Sequence, residues 1–271
     1  MLLVSNWKMN PVSLKEARRL LRSLTQTQNV KCGSARLSWP AKNKASIDLW
    51  LAPPSLFVYP LIQQFGHYFT FGLQNIFYEK QGAYTGELSA TQAKDIGAKF
   101  VILGHSERKK MGEDLETINK KVISALAAGL KVILCFGETT RQNNLTASAR
   151  EWEQQAAILF RNLPETAAVK KKLIIAFEPA WAISTQGQGS VSVEYLRAFI
   201  NWFNQKVRKN FDAVKLLYGG SVDAAVAGRF SQTGLDGFLI GSASLQLAEF
   251  KKIISLCYNI IPNEKKNKKS K

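Results

Sequence analysis

Acid is scarce in this sequence, with 20 aspartates and glutamates against 37 lysines and arginines, and metal-ligating side chains are scarcer, with two histidines and three cysteines. Cys32, Cys135 and Cys257 are odd in number and more than 100 residues apart, which excludes a disulfide framework and a zinc ribbon. They read as small buried or half-exposed side chains. Dispersed carboxylates and so few histidines lack the spacing of a metal centre, so no metal is expected. Neither a GxGxxG nor a GxxxxGK[ST] stretch occurs, and no nucleotide or other cofactor is expected. No apolar run reaches the roughly 18 to 20 residues that span a bilayer. The MLLVSNWKMN start has no basic segment followed by an apolar one and a cleavage site, so a cytoplasmic protein with no membrane partner is expected.

The shortage of acid leaves a formal charge of +17, for which nucleic acid is the first partner to consider. Five lysines and one glutamate fall in the last ten residues, PNEKKNKKSK, a lysine-rich tail over 262–271 with no core to bury. The other charges are scattered along helical stretches and not gathered into one run with interleaved aromatics. The expectation is a generally basic surface that attracts anionic metabolites, with nucleic acid not the expected partner.

Apolar β-branched runs recur eight times: LLVSNW, IDLWLA, FTFGLQN, KFVILG, KVILCFG, KLIIAFE, VKLLYG and DGFLIG. Between them, stretches such as SLKEARRLLRSL, EDLETINKKVISALAAG, ASAREWEQQAAILFRNL and SVEYLRAFINWFNQKV repeat apolar residues at intervals of three and four. Continuous apolar strands alternating with amphipathic helices imply a parallel sheet covered on both faces. Eight such units predict a closed (β/α)₈ barrel as a single domain over 1–261, where a doubly wound sheet would have five or six strands. The segment KCGSARLSWPAKNK, 31–44, carries four basic residues and no acid between the first helix and the second strand. In a barrel that is the face away from the chemistry, and it reads as a tolerated surface loop.

Barrels keep their chemistry at the C-terminal strand ends. Those tips hold Asn6 and Lys8, then Asn75, then His105, Ser106 and Glu107, then Cys135, Gly137 and Glu138, then Glu178, and finally the glycine-rich YGGS and IGSAS. Bare backbone N–H groups at the last two tips suit a phosphate, so a small phosphorylated metabolite is the expected substrate. Glu178 ends an apolar run and is followed by PAWAISTQGQG, a segment that reads as a lid. One acid, one histidine and one lysine on one rim suit proton abstraction beside a carbonyl, with the cation and imidazole stabilising charge on oxygen. Each residue alone has a plainer use as a cap or ion pair; it is their joint placement that points to chemistry. His67, in QQFGHYF, reads as structural. A different phosphate-binding barrel enzyme, or a binding protein whose tail and 31–44 segment engage a polyanion, remain alternatives at this point.

These motifs, in this order, resemble the triosephosphate isomerase family over nearly the whole chain: NWKMN at 6–10, APPSLF at 52–57, QNIFYEKQGAYTGE at 74–87 and VILGHSERK at 101–109. The match continues through INKKVISALAAGLKVILCFGET at 118–139, FEPAWAIST at 177–185, LLYGGSV at 216–222 and DGFLIGSASL at 236–245. The resemblance implies a TIM barrel that interconverts dihydroxyacetone phosphate and glyceraldehyde 3-phosphate through an enediolate, in glycolysis and gluconeogenesis. It implies Glu178 as the base, His105 as a neutral electrophile, Lys8 as the cation, Asn6 as its positioner and Glu107 as support for both. It implies phosphate binding by the backbone N–H groups of Ser184, Ser221, Gly241 and Ser242. Trp181 and Ile183 would be the apolar cover of the lid, with Pro179 at its near hinge. A homodimer is implied in which Thr85, in EKQGAYTG, reaches the neighbour's Asn6 and His105. Three positions depart from the family pattern: Ser184, Gln186 and Ser242 stand where it has glycines, and QGQG at 186–189 differs from its usual far hinge. A Cβ forced into a left-handed backbone there would cost about 1–2 kcal/mol.

Overall fold

The computed structural model describes residues 1–26, 47–183 and 190–260. The 31–44 segment, Cys32, Ser184, the far hinge at 186–189 with Gln186, and the 262–271 tail therefore lie outside the described residues.

Eight parallel strands close into a barrel in sequence order. They are β1 (Leu2–Asn6), β2 (Asp48–Ala52), β3 (Thr70–Leu73), β4 (Phe100–Leu103), β5 (Lys131–Phe136), β6 (Leu173–Phe177), β7 (Lys215–Tyr218) and β8 (Gly237–Ile240), with β8 pairing back onto β1. The expected (β/α)₈ architecture is thus the observed one. Side chains alternate along each strand. Leu2, Val4, Trp50, Ala52, Phe100, Ile102, Ile133, Cys135, Ile174, Ala176, Leu217 and Leu239 fill the barrel interior. The intervening residues, among them Leu3, Leu51, Val101, Leu134, Phe177 and Phe238, pack outward into the shell of helices. Both faces being buried explains why the strands read as unbroken apolar runs.

The helices are α1 (Leu14–Thr25), α2 (Ser55–Phe65), α3 (Ala90–Asp95), α4 (Ser106–Lys110), α5 (Leu115–Ala127), α6 (Leu145–Leu159), α7 (Ala167–Lys172), α8 (Val193–Lys206), α9 (Ala224–Phe230) and α10 (Leu247–Ile260). The long ones match the periodic stretches. The short α3, α4 and α7 carry too few turns to show a period, and their starts are marked by caps instead. Ser89 forms a reciprocal capping box with Gln92, and Thr166 accepts from the Val169 N–H. Cys135 and Cys257 are buried free thiols, as expected of structural cysteines. His67 is exposed, its ring 4.0 Å from that of Tyr68.

A buried ion pair braces the C-terminal end of the strands. Lys121 on α5 binds Glu113, both side chains at most 4% exposed, and Lys121 Nζ also donates to Asn75 Oδ1 at 3.0 Å at the β3 tip. Arg108 Nε lies 3.7 Å from the same Glu113 carboxylate. Glu113→Ala would strand a buried ammonium, and the expected loss is about 3–5 kcal/mol of stability, read as a lower urea midpoint. A midpoint unchanged from the parent protein would show that the pair holds nothing.

Candidate active site

The site is built at the C-terminal rim by four strand tips and the turns that follow. After β1 the chain bends so that Lys8 takes φ 54°, the left-handed region that a side chain rarely occupies. Two groups hold it there. The Lys8 N–H donates to Asn6 Oδ1 at 3.1 Å, and Gln74 Nε2 donates to the Lys8 and Ala52 carbonyls, both at 2.8 Å. Asn6 thus holds the backbone of Lys8 in this conformation. Gln74 is a residue that sequence reading missed, although a polar amide directly after β3 was a signal for it.

This backbone aims the Lys8 ammonium across the rim to Glu107 Oε1, 2.6 Å away. The other Glu107 oxygen lies 3.8 Å from His105 Nδ1, and the Glu107 N–H donates to that nitrogen at 3.2 Å. Nδ1 can accept only through a free lone pair, so this bonding assigns a neutral imidazole with its proton on Nε2. Nε2 in turn lies 2.9 Å from Glu178 Oε1, while Glu178 Oε2 accepts the Ser106 N–H at 2.9 Å. The Glu178 carboxylate, the His105 imidazole and the Lys8 ammonium are thus linked, the last through Glu107, in one chain of contacts.

Glu178 and His105 are both buried, at 4% and 7% exposure. Burial alone pushes the Glu178 pKa up. The His105 ring, the Ser106 N–H and the nearby Lys109 ammonium outweigh it and hold the carboxyl below its ordinary value. For His105, burial opposes a charged ring, yet the Glu178 carboxylate against Nε2 prevails and raises its pKa. Glu178→Gln is therefore expected to lower the His105 pKa. With only two histidines in the chain and His67 exposed, an NMR titration separates them, and a rise or no change would contradict the assigned contact.

Gly137 lets the neighbouring strand tip approach. Its φ is 151°, and a Cβ there would fall 2.6 Å from the Glu178 carbonyl carbon. Behind Glu178 lies a cavity of about 670 Å³ lined by Ser106, Lys109, Glu151 and Gln155 among others. Burial lowers the Lys109 pKa there although Glu178 works to raise it. Lys109 is a second residue that the sequence reading did not single out, because a lysine in a short helix gives no sign of which way it points.

Glu138, one of the strand-tip acids, turns away from the rim. It is fully buried, with Oε1 accepting from Trp152 Nε1 at 2.7 Å and from the Tyr195 hydroxyl. Burial raises its pKa, and its carbonyl receives the Ala180 N–H at 2.7 Å, fastening the segment that follows Glu178. Trp181 and Ile183 are buried, the Trp181 ring standing edge-on 5.6 Å from Tyr195. The near part of the expected lid thus rests against the body of the barrel.

On the phosphate side, the Ser221 N–H and hydroxyl both reach the Ala182 carbonyl, at 3.2 and 3.0 Å. That N–H was expected to face an anion, so binding one here requires exchanging this bond. Gly241 adjoins Lys8: a Cβ on it would lie 3.5 Å from Lys8 Cε. Ser242 opens a short 3₁₀ turn, Ser242–Leu245, and is not among the residues with positive φ. The strain expected of a side chain at 242 is absent because the backbone does not enter the left-handed region there.

A second cavity, of about 500 Å³, opens in front of the site between Asn6, Lys8, Asn75, His105, Glu107 and Met111. Thr85 lies in an exposed loop stiffened by the Phe77 and Tyr84 rings, whose centroids are 4.7 Å apart. Among the described residues no cluster of histidine, cysteine, aspartate and glutamate is arranged to hold a metal ion, and no helix is long and apolar enough to cross a membrane.

Comparison with known proteins gives a consistent result. The family profile described as triosephosphate isomerase matches residues 1–257. A triosephosphate isomerase of Coprinopsis cinerea is 35% identical over 262 residues, covering 92% of this chain and 95% of its own length. Those of Alkaliphilus oremlandii and Aquifex aeolicus are 34% and 33% identical, each covered over 98% of its length.

Proposed function

Because the chain belongs to the triosephosphate isomerase family, an isomerase that interconverts dihydroxyacetone phosphate and glyceraldehyde 3-phosphate, we propose that Glu178, His105 and Lys8 carry the proton transfer. Asn6 and Glu107 position them. The division into a glutamate base and a neutral histidine electrophile is one for which this family is the standard example.

The contact that carries the reading is Glu178 Oε1 against His105 Nε2 at 2.9 Å, with Lys8 joined to the pair through Glu107. Both Glu178 oxygens are engaged, so the carboxylate must release His105 or Ser106 to reach a carbon-bound proton. Once released, it leaves the Nε2 proton free to donate to the substrate oxygen. With the carboxylate withdrawn, burial, the largest influence on the ring, opposes its charged form and so favours the neutral N–H donor that an enediolate oxygen requires. The Lys8 ammonium adds a fixed positive charge where negative charge develops. Backbone N–H groups at Ser184, Ser221, Gly241 and Ser242 are assigned to the phosphate, and closure over Trp181 and Ile183 to excluding water. A coupled assay with glyceraldehyde 3-phosphate tests the activity; turnover no faster than the uncatalysed reaction would overturn it.

The same reading includes a homodimer acting in the cytoplasm. Met9, Val12, Leu56 and Met111 are each at least 75% exposed, an unusual density of open apolar side chains beside the front cavity. A partner's Thr85 loop is suited to that cavity. Sedimentation equilibrium is expected to give twice the 30.2 kDa chain mass. A monomer with full activity would remove the dimer from the account.

A further inference from the structure

Lysines that are dispersed in the sequence are gathered by the barrel at the end opposite the active site. Four consecutive strands start at or directly after one: Lys99 precedes β4, Lys131 opens β5, Lys172 precedes β6 and Lys215 opens β7. The register sets these starts side by side, with Phe100 against Lys131, Val132 against Leu173 and Ile174 against Lys215. Neighbouring strands lie about 4.8 Å apart, so the four stems follow an arc of roughly 15 Å.

Alternation along the strands divides the set. Lys131 and Lys215 share the inward parity of Ile133 and Leu217, which puts them at the axial mouth of the barrel. Lys131 Nζ lies 4.6 Å from the centre of the Trp50 ring. Farther out, Lys94 and Lys172 flank one point: a Cβ on Gly129 would lie 3.7 Å from Lys172 Nζ and 3.9 Å from Lys94 Nζ. Among the described residues, none of these five lysines has a carboxylate within ion-pair distance. Asp48, on the first residue of β2, is the acid beside Lys131 and Lys215. Asp236 is held by Arg208 at 2.7 Å and Asp212 by Lys170 at 3.2 Å.

We propose that this N-terminal face binds a nucleic-acid strand through its phosphates. A row of separate, unpaired cations fits a row of separate anions better than it fits one small metabolite. Lysines are point charges without the fork that reads a base edge, so the binding is indifferent to sequence. A protein interface would need an apolar centre and a membrane an apolar wedge. Among the described residues most of the exposed large apolar side chains, such as Met9, Val12, Leu56 and Met111, lie instead toward the catalytic end, while Leu256 on α10 is directed toward this one. Helix α10 runs back from the β8 end and finishes on this face.

The test is fluorescence anisotropy of a labelled 20-nucleotide oligouridylate with the full chain, titrated at several salt concentrations. Removing three phosphate contacts with Lys99→Gln/Lys131→Gln/Lys215→Gln is expected to reduce the slope of log K against log salt by about 2 and to weaken binding at low salt at least tenfold. Isomerase activity, at the other end of the barrel, should be unchanged, which also reports that the variant folds. Asp48→Asn removes the acid beside the mouth and should tighten binding a few-fold. If the triple variant fails to fold, unchanged affinity in Asp48→Asn alone overturns the proposal. So does a folded triple variant that binds like the parent, or loss of all binding on deleting 262–271. Binding to polyglutamate or anionic vesicles but not to the oligonucleotide would assign the face to another partner and likewise overturn it.

Discussion

Glu178→Asp is expected to lower kcat by about 10²- to 10³-fold, because shortening the side chain by one methylene withdraws the carboxylate by roughly 1 Å from any carbon it must deprotonate. Its present reach is fixed at both oxygens, by His105 Nε2 at 2.9 Å and by the Ser106 N–H at 2.9 Å. Aspartate cannot keep these contacts and also extend toward substrate. KM should change little, since the missing length matters most in the transition state. The backbone of Glu178 and Pro179 packs against Gly137, which the substitution leaves in place, so circular dichroism should be that of the parent. A kcat within tenfold of the parent would mean that Glu178 is not the base.

Lys8→Met is expected to lower kcat/KM by about 10³-fold, in line with removing a charged group preorganised at the site of developing negative charge. Methionine keeps the length and the apolar stem, so the packing against Gly241 survives. The φ of 54° is held by Asn6 and Gln74 through backbone groups, which the substitution leaves in place. The loss is therefore one of charge, and Lys8→Arg should recover part of it only if the broader guanidinium still reaches Glu107. Activity in Lys8→Met close to that of the parent would show that the 2.6 Å contact with Glu107 is a surface ion pair of no catalytic weight.

The strands were legible because their two buried faces leave no polar alternation, and the long helices because their periods repeat for three turns or more. Glu178, His105 and Lys8 were legible as strand-end residues in the order the family motifs set. Gln74 was harder, since its use is to bond two backbone carbonyls, and the need for that appears only when Lys8 turns into the left-handed region. Glu138 sits at a strand tip like the others yet points into the shell, toward Trp152 and Tyr195 on two different helices. No local signal distinguishes it from an acid that faces the rim.

The number of strands, the barrel they close into and which residues end each strand were determined by the sequence alone, since the spacing of apolar residues is a local property that the chain must satisfy wherever it lies. Which charges meet was decided by the tertiary structure. Lys8 and Glu107 are 99 positions apart, and His105 and Glu178 are 73 apart, yet each pair is in contact. The lysines of the opposite face became neighbours in the same way, through strand register. Electrostatic interaction depends on distance in space and on the surrounding dielectric, and closing the barrel sets both.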